Sequence, residues 1–563
     1  MDNPRLYLWI GLALLAWMNV IQWNRDYGAV ATSPPAASAP AAGDVTPAAD
    51  SVAGQLPALP TDTGTPAATA DAAPAALPST ASAAEQPSIR VVTDVLDMEV
   101  SLKGGTLVRA DLLQYPQAKT KDSPPVRLLT TADGGYEIAR SGLRAIGGGA
   151  EPTHLATFAA AAREFRLAPG AEELRVPLTW TDGQGMVVTK TYTFKRGSYE
   201  IVLSHDVNNG SPGDWKAASY VQFVRHMYTQ KRSMFDVESY AYRGPAIYNG
   251  QKFSKIDVND EDEAKFSEAF AGGWMAEMQH HFVTAAVPPV SETFDYTLGV
   301  EGTHSVLGFR GPLKNVPAGT TAQFSDKIWV GPKLQEQLKA MGPRLELTAD
   351  YGKLTIISQP LFWVLSKVHG FVGNWGWSII IVTILLKLLF YKLTETSGRS
   401  MAKMRTIAPR IKSIQERYKG DREQLAKQTM ELYKREKINP VAGCLPIVVQ
   451  IPVFLAFYWV LLESVEMRQA PFMLWIQDLS AKDPYFILPA IMGAAMYGQF
   501  KLNPAPPDPM QAKVFAFMPL VMTVMMAWFP AGLVLYWITN TGLSIAQQWN
   551  INRVVAAEAK TSH

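Results

Sequence analysis

Cysteine is almost missing from the chain: its 563 residues contain one, Cys444, which lies in an apolar run. No internal disulfide and no cysteine-rich metal framework can form, so any exported domain must be held together by its core alone. Charge of one sign is also scarce, since 52 Lys and Arg face 50 Asp and Glu for a net +2. The chain as a whole is no polyanion binder, no direct nucleic-acid site is expected, and any electrostatic function is local. The motifs HExxH, GxSxG and GxxxxGK[ST] are absent. Without a zincin helix, a nucleophile elbow or a phosphate loop, the sequence predicts no catalytic residue, no metal site and no cofactor, and therefore no enzyme.

Large apolar side chains are nearly absent from residues 28–87, where Ala, Pro, Thr, Ser and Asp dominate. Such a segment cannot bury enough surface to offset its ordering entropy and reads as a disordered linker. Before it, residues 1–27 hold a first transmembrane span. Leu6 to Trp23 supplies 18 largely apolar residues, about 27 Å of helix. The alternative is a cleaved signal peptide with Ala29-Val30-Ala31 as its small-residue site; a lone Arg5 offset by Asp2 and an overlong apolar region argue against it.

Residues 88–345 alternate apolar and polar side chains in runs such as MVVTKTYTF and YEIVLSHDV. These two flank Lys195-Arg196-Gly197-Ser198 as strand, turn and strand, and repeated signals of this kind favour a mainly antiparallel β-sandwich. The run EDEAKFSEAF, residues 261–270, is the expected helix of this domain. His280 and His281 are its candidate ligands for a binding or enzymatic role. Neighbours on a strand point to opposite faces, which argues against a metal site shared between them.

Residues 346–549 differ in character. Apolar segments run over 375–391 and 441–462, then more briefly over 486–502, 514–529 and 531–549, with Pro530-Ala531-Gly532 as a tight hairpin between the last two. With the first span this makes six, a polytopic α-helical membrane protein. From Lys392 to Pro440 there are 13 Lys or Arg against six Asp or Glu, so that loop is cytoplasmic. The loop from Glu463 to Pro484 carries Arg468 and Lys482 against four acids and faces outward. Alternation then puts both termini, including the tail 550–563, in the cytoplasm and the β-domain outside. The segment 360–372, with Lys367 and His369 among apolar bulk, is expected to be an amphipathic helix at the outer surface.

Lys387 is the one basic residue deep within the second span, where a charge costs about 2.5–3.5 kcal/mol on insertion scales. Snorkelling to the nearby cytoplasmic headgroups would relieve it. Thr383, four residues earlier on the same helical face, points instead to a polar stripe. Gln450 falls mid-way along the third span between Pro446 and Pro452, and Tyr536, Trp537, Asn540 and Ser544 recur along the sixth at helical spacing. Polar residues on three spans imply a shared interior, either a wet groove or a bundle with paired side chains. The fourth span, about 25 Å if helical, falls short of about 30 Å of hydrocarbon, so local thinning of the bilayer is expected.

The cytoplasmic loop, residues 396–440, reads as a helical hairpin. Met401, Met404, Ile407, Ile411 and Ile414 mark one face, with Arg405 and Arg410 among the basic residues of the other. Gly420 breaks the pattern, and Asp421 with Gln424 resembles a capping box. The hairpin is either a solvated structural element or a docking surface for a nascent chain or ribosome.

The stretches ADYGKLTIISQPLFWVLSKVHGFVGNWGWSIIIVTILLK, SMAKMRTIAPRI, INPVAGCLPIVVQIPVFLAFYWVL, VEMRQAPFMLWIQDLS and MPLVMTVMMAWFPAGLVLYW resemble the YidC/Oxa insertases over 349–549. TYTFKRGSYEI, AGGWMAEMQHHFVTAAVP and IWVGP resemble the periplasmic domain of Gram-negative members. The resemblance implies a multi-pass protein of the bacterial inner membrane, with a periplasmic all-β supersandwich and a five-span insertase core. Its hydrophilic groove opens to cytoplasm and lipid. The resemblance assigns the groove charge to Lys387, where most members carry Arg, client contacts to Thr383 and Trp537, and a lining position to Gln450. It implies nascent membrane proteins as clients and membrane lipids as surroundings. It adds the Sec translocon (SecYEG and SecDF) as partner, and the ribosome and signal recognition particle receptor as candidates. The short, weakly basic tail argues against strong ribosome binding through it. A secondary transporter is the rival reading, disfavoured because no mid-membrane carboxylate or internal repeat is found.

Overall fold

In the computed structural model, residues 87–146, 150–228, 241–418, 420–436, 445–502 and 509–561 are described. The first span and the linker expected before residue 87 lie outside them.

Among the described residues the β-domain consists of an 11-stranded and a 9-stranded sheet. Alternation explains the pairing at its centre. In Met186–Lys195, Val188, Tyr192 and Phe194 are buried while their neighbours are half-exposed, the period-2 signature of a strand with one face on a core. Its partner Glu200–Asn209 joins it in antiparallel register from Ile201 opposite Phe194 to Asn209 opposite Met186. Gly197 takes the left-handed φ of +68° that the connecting turn needs. The same alternation drives Lys190 inward, where its ammonium donates to the carbonyls of Gly104 and Ser141 at 2.7 and 3.0 Å. Burial pushes that ammonium down to about 7. One contact is parallel, Ser88–Val92 with Glu164–Arg166.

The helix expected at 261–270 does not form. Glu263–Lys265 make one 3-10 turn, and Ser267–Ala271 is a strand paired with Thr293–Glu301. The four-residue spacing of Phe266 and Phe270 imitates a helix, but Phe270 stacks on Tyr296 at 4.0 Å across the strand pair. A second correction concerns His280 and His281. They lie in the connection between Trp274–Met278 and Phe282–Val287 rather than on a strand. Their rings therefore stack at 3.8 Å instead of diverging.

The helices are α1 (Gln335–Met341), α2 (Thr355–Val372), α3 (Trp375–Leu389), α4 (Tyr391–Arg417), α5 (Arg422–Arg435), α6 (Leu445–Glu463), α7 (Ile487–Leu502), α8 (Pro509–Met526) and α9 (Ala531–Thr561). Local chemistry sets their ends. Gly373, at φ +69°, closes α2 with its N–H on the His369 carbonyl, and the Asn374 side chain caps α3 by accepting from the Trp377 N–H. Among the described residues no single helix is long and apolar enough to cross a membrane. The bent pair Trp375–Leu389 and Tyr391–Met404, at 64°, passes that test together. The helix within the expected second span, 375–391, ends at Leu389, and the bend at Phe390 falls at the end of that segment.

A second core unites α2, α3, α6, α7 and α9 through Leu365, Val382, Phe457, Leu461, Met492 and Val534. Helix α2 buries Leu361 and Leu365 in it and leaves Ile356, Trp363 and Phe371 exposed, the amphipathic character expected there, in a helix that starts five residues earlier. The β-domain is joined to this core at the end of α6. The Nε2 atoms of His280 and His281 lie 3.1 and 3.0 Å from the Leu462 carbonyl and donate to it. Burial holds both imidazoles below their ordinary range, His281 at about 3, so they act as neutral donors. The Arg468 guanidinium donates to the carbonyls of Pro116 and Gln117 at 2.8 and 3.1 Å.

A polar cavity between three helices as candidate functional site

Helices α3, α6 and α9 each bring polar side chains to one cavity. It is lined by Thr383 and Lys387 from α3, Gln450 from α6, and Tyr536 and Asn540 from α9, with Leu386, Phe390 and Val453 as apolar walls. The positions 383 and 387 stand one turn apart, so one face of α3 carries both. The Lys387 ammonium donates to the Ser544 hydroxyl at 2.7 Å. That hydroxyl in turn donates to the Asn540 carbonyl at 2.7 Å, one turn back in α9. Ser544 therefore uses its own proton on the helix and its lone pairs on the lysine. An ammonium has three donors, and among the described residues Ser544 is the hydrogen-bond partner that Lys387 has. Thr383 spends its hydroxyl proton on the Ile379 carbonyl at 2.7 Å, and its side chain is buried.

Tyr536 is fixed by stacking on Phe457 at 4.6 Å and 17°. Trp537 does not line this cavity. It borders a second one beside Gln450, Ile451, Phe454, Met496, Gln499, Tyr536, Asn540 and Thr541, with its ring edge-on to Phe454 at 4.6 Å. Gln499 was not anticipated from sequence: a lone amide in the Gly-, Ala- and Met-rich stretch of α7 has no polar neighbour at helical spacing.

The basic loop between α3 and α6 is a helical hairpin of α4 and α5. Gly420 at φ +108° breaks it, and the Asp421 carboxylate caps α5 by accepting from the Gln424 N–H at 3.0 Å. Its apolar face is not free. Ile407 and Ile411 are buried with Met404 against Leu432 and Tyr433 of α5, because two short amphipathic helices satisfy each other before any partner arrives. Ile414 is half-buried. Arg410 is exposed and pairs with Glu436 at 2.7 Å. The side chains of Met401 and Arg405 lie outside the described residues.

The description "60Kd inner membrane protein" belongs to the family model that matches residues 367–558, and "YidC periplasmic domain" to the one that matches 88–364. The chain is 47% identical over 570 residues to the membrane protein insertase YidC of Thioalkalivibrio sulfidiphilus, with 100% of both chains covered. It is 44% identical to that of Pseudomonas putida strain W619, covering 100% of this chain and 99% of the relative. The corresponding protein of Nitrosococcus oceani is 43% identical, with 99% of this chain and 100% of the relative covered. The chain belongs to the YidC family of membrane protein insertases.

The transporter reading finds no support among these relatives. The two family matches meet between residues 364 and 367, inside α2. That helix is accordingly the joint between the periplasmic β-domain and the insertase core. It is fastened below by the Ser358 hydroxyl donating to the Ala456 carbonyl at 3.3 Å. The α6 end that carries Leu462 is the end that meets His280 and His281 of the β-domain. Lys387, near the other end of α3, lies away from it.

Proposed function

We propose that this chain inserts nascent proteins into the bacterial inner membrane, with the cavity of Thr383, Lys387, Gln450, Tyr536, Trp537, Asn540 and Ser544 as the client path. The observation that carries the reading is the Lys387 ammonium, held by Ser544 inside a cavity walled by polar side chains of three helices. A cation at bilayer depth is costly and marks a pathway for polar or charged groups. In this proposal Lys387 draws an acidic or polar flanking segment from the cytoplasm, and the apolar part of the client slides past Thr383 and Trp537 into lipid. Each Leu, Ile, Phe or Val transferred contributes about −0.3 to −0.6 kcal/mol. An outward-moving carboxylate gains about 2.3 kcal/mol per 100 mV of inside-negative potential. No fuel is needed at the site.

The proposal extends to topology: six spans, five of them in the core 346–549, with both termini cytoplasmic. It divides the rest into a span within 1–27, a linker 28–87, the β-domain 88–345 and a tail 550–563. The short α7, 16 residues and about 24 Å, would thin the bilayer beside the cavity. The hairpin 396–440 would meet the ribosome or the signal recognition particle receptor through exposed basic residues such as Arg410, and the Sec translocon would be a further partner. Photoreactive side chains at 383 and 537 are expected to capture nascent membrane proteins. Capture solely at a lipid-facing position such as Leu388, 63% exposed, would refute the path.

A further inference from the structure

We propose that His226 and His304 form a zinc site on the surface of the β-domain, where one exchangeable divalent ion clamps the end of a strand pair. The two residues close the antiparallel pairing of Trp215–His226 with His304–Arg310 and stand directly opposite each other. The backbone hydrogen bonds at that end lie beside them and not between them. The Met227 N–H donates to the Thr303 carbonyl at 2.8 Å, and the His226 N–H turns the other way, to the Tyr136 carbonyl at 2.8 Å. His226 and His304 are thus a non-hydrogen-bonded pair, the arrangement in which facing side chains come closest. Alternation assigns their face. Val221 and Phe223 enter the core between the sheets, so Val224 and His226 point away from it. There Val224 packs with Ile138, Val306 and Tyr136, and both imidazoles are half-buried at the rim of this small apolar cluster, within reach of solvent.

The ring spacing fits one ion. A zinc ion about 2.0–2.1 Å from a coordinating nitrogen stands about 3.1 Å from the centre of that imidazole, so a tetrahedral angle sets two ring centres about 5.1 Å apart. A square-planar right angle would draw them to about 4.4 Å. The centres of His226 and His304 are 5.3 Å apart, with the rings at 74°. Thr303 Oγ1 stands 3.3 Å from Nδ1 of His304, which leaves Nε2 for the ion and steadies the ring from behind, as metal-bound imidazoles usually are. Among the described residues no third His, Cys, Asp or Glu joins the pair. Water therefore completes the coordination, and the ion exchanges with solvent, unlike one in a closed four-ligand site. The other histidines offer nothing comparable. Of the eight in the chain, His154 and His205 are buried, and His280 and His281 spend their Nε2 atoms on the Leu462 carbonyl. His369 stacks on Trp375 at 3.8 Å, and His563 lies outside the described residues.

The test uses the full-length chain in detergent without a polyhistidine tag, with Cys444→Ser and His563→Ala so that neither residue competes for metal. Zinc chloride is titrated and followed by calorimetry and by hydrogen exchange. One equivalent should bind. At about ten times its dissociation constant, exchange at the Met227 amide should slow about eleven-fold, because the ion holds the closed strand end and not the open one. Exchange at Gln424, in the α4–α5 hairpin, should not move. Cobalt(II) in place of zinc should show the visible absorption of a tetrahedral ion. His226→Gln and His304→Gln should each weaken binding by more than the about ten-fold that losing an outer hydrogen-bond partner costs, and each should abolish the slowing at Met227. His369→Ala should leave both intact. Full-strength binding in both glutamine variants, zinc bound with Met227 exchange unmoved, or no binding at millimolar zinc would overturn the site and leave the two imidazoles as packed rings. The exchange measurement on the chain with both histidines needs neither substitution, so it decides the matter even where a variant fails to fold.

Discussion

Replacing Lys387 by alanine should separate clients by the charge of their translocated flank. At an effective dielectric of about 20, a client carboxylate about 6 Å from the ammonium is held by about 2.8 kcal/mol, a factor on the order of 100 in capture. A client with an uncharged flank loses only a hydrogen bond to a charged donor, about 1.5–3 kcal/mol at most and less where water replaces it. The fold should tolerate the change. Ser544 keeps its proton on the Asn540 carbonyl, so no buried donor is orphaned, and removing a charge from bilayer depth favours the helix by about 2.5–3.5 kcal/mol. The assay is reconstitution with matched clients that differ only in acidic, neutral or basic flanks, scored by protection of the translocated segment. Lys387→Ala should slow the acidic client most, Lys387→Arg should restore it, and Lys387→Glu should reverse the order of acidic and basic flanks. An equal loss for all three flanks would refute charge attraction.

Three further outcomes follow from other parts of the molecule. Asp326 is buried with neither carboxylate oxygen hydrogen-bonded, and burial raises it to about 7. Its folded form keeps a proton that the unfolded chain releases above about 4. Its cost therefore grows by about 1.4 kcal/mol per pH unit between about 4 and 7. Asp326→Asn should slow hydrogen exchange in Thr321–Pro332 far more at pH 8 than at pH 5; a pH-independent effect would contradict the burial argument. Alanine at both His280 and His281 leaves the Leu462 carbonyl without its donors and should cost about 1–3 kcal/mol. Faster exchange at Ser464–Met467 would register it, and each single change should cost clearly less than half as much. Asp421→Ala removes the cap of α5 and should weaken its first turn by about 0.5–2 kcal/mol, read by exchange at Gln424; no change there would show that the cap carries no weight.

The β-domain was legible where local signals agree with the sheet. Alternation over 186–209 and a glycine at the turn sufficed for the central pair, since one face had to be buried. The stretch 261–270 was misread because acidic residues and a four-residue phenylalanine spacing satisfy a helix locally, whereas pairing with Thr293–Glu301 decides its state. The histidine pair failed for a related reason, a turn taken for a strand. In the helical part, periodicity identified the apolar face of the hairpin. It carries no information on whether that face meets a partner or the next helix, and Ile407 and Ile411 meet the next helix. Polar residues of three helices stood out against apolar sequence; Gln499 did not, and neither did the division of the space into two. Both depend on how helices far apart in the chain face one another.

The most direct measurement is the reach of water to position 387. The chain's one cysteine, Cys444, would be replaced by serine and a single cysteine set at 387. A membrane-impermeant maleimide would then be applied to inverted vesicles, with and without a stalled client. The account predicts labelling from the cytoplasmic face that the client blocks. Absence of labelling at 387, while a cysteine in the exposed hairpin reacts fully, would contradict it.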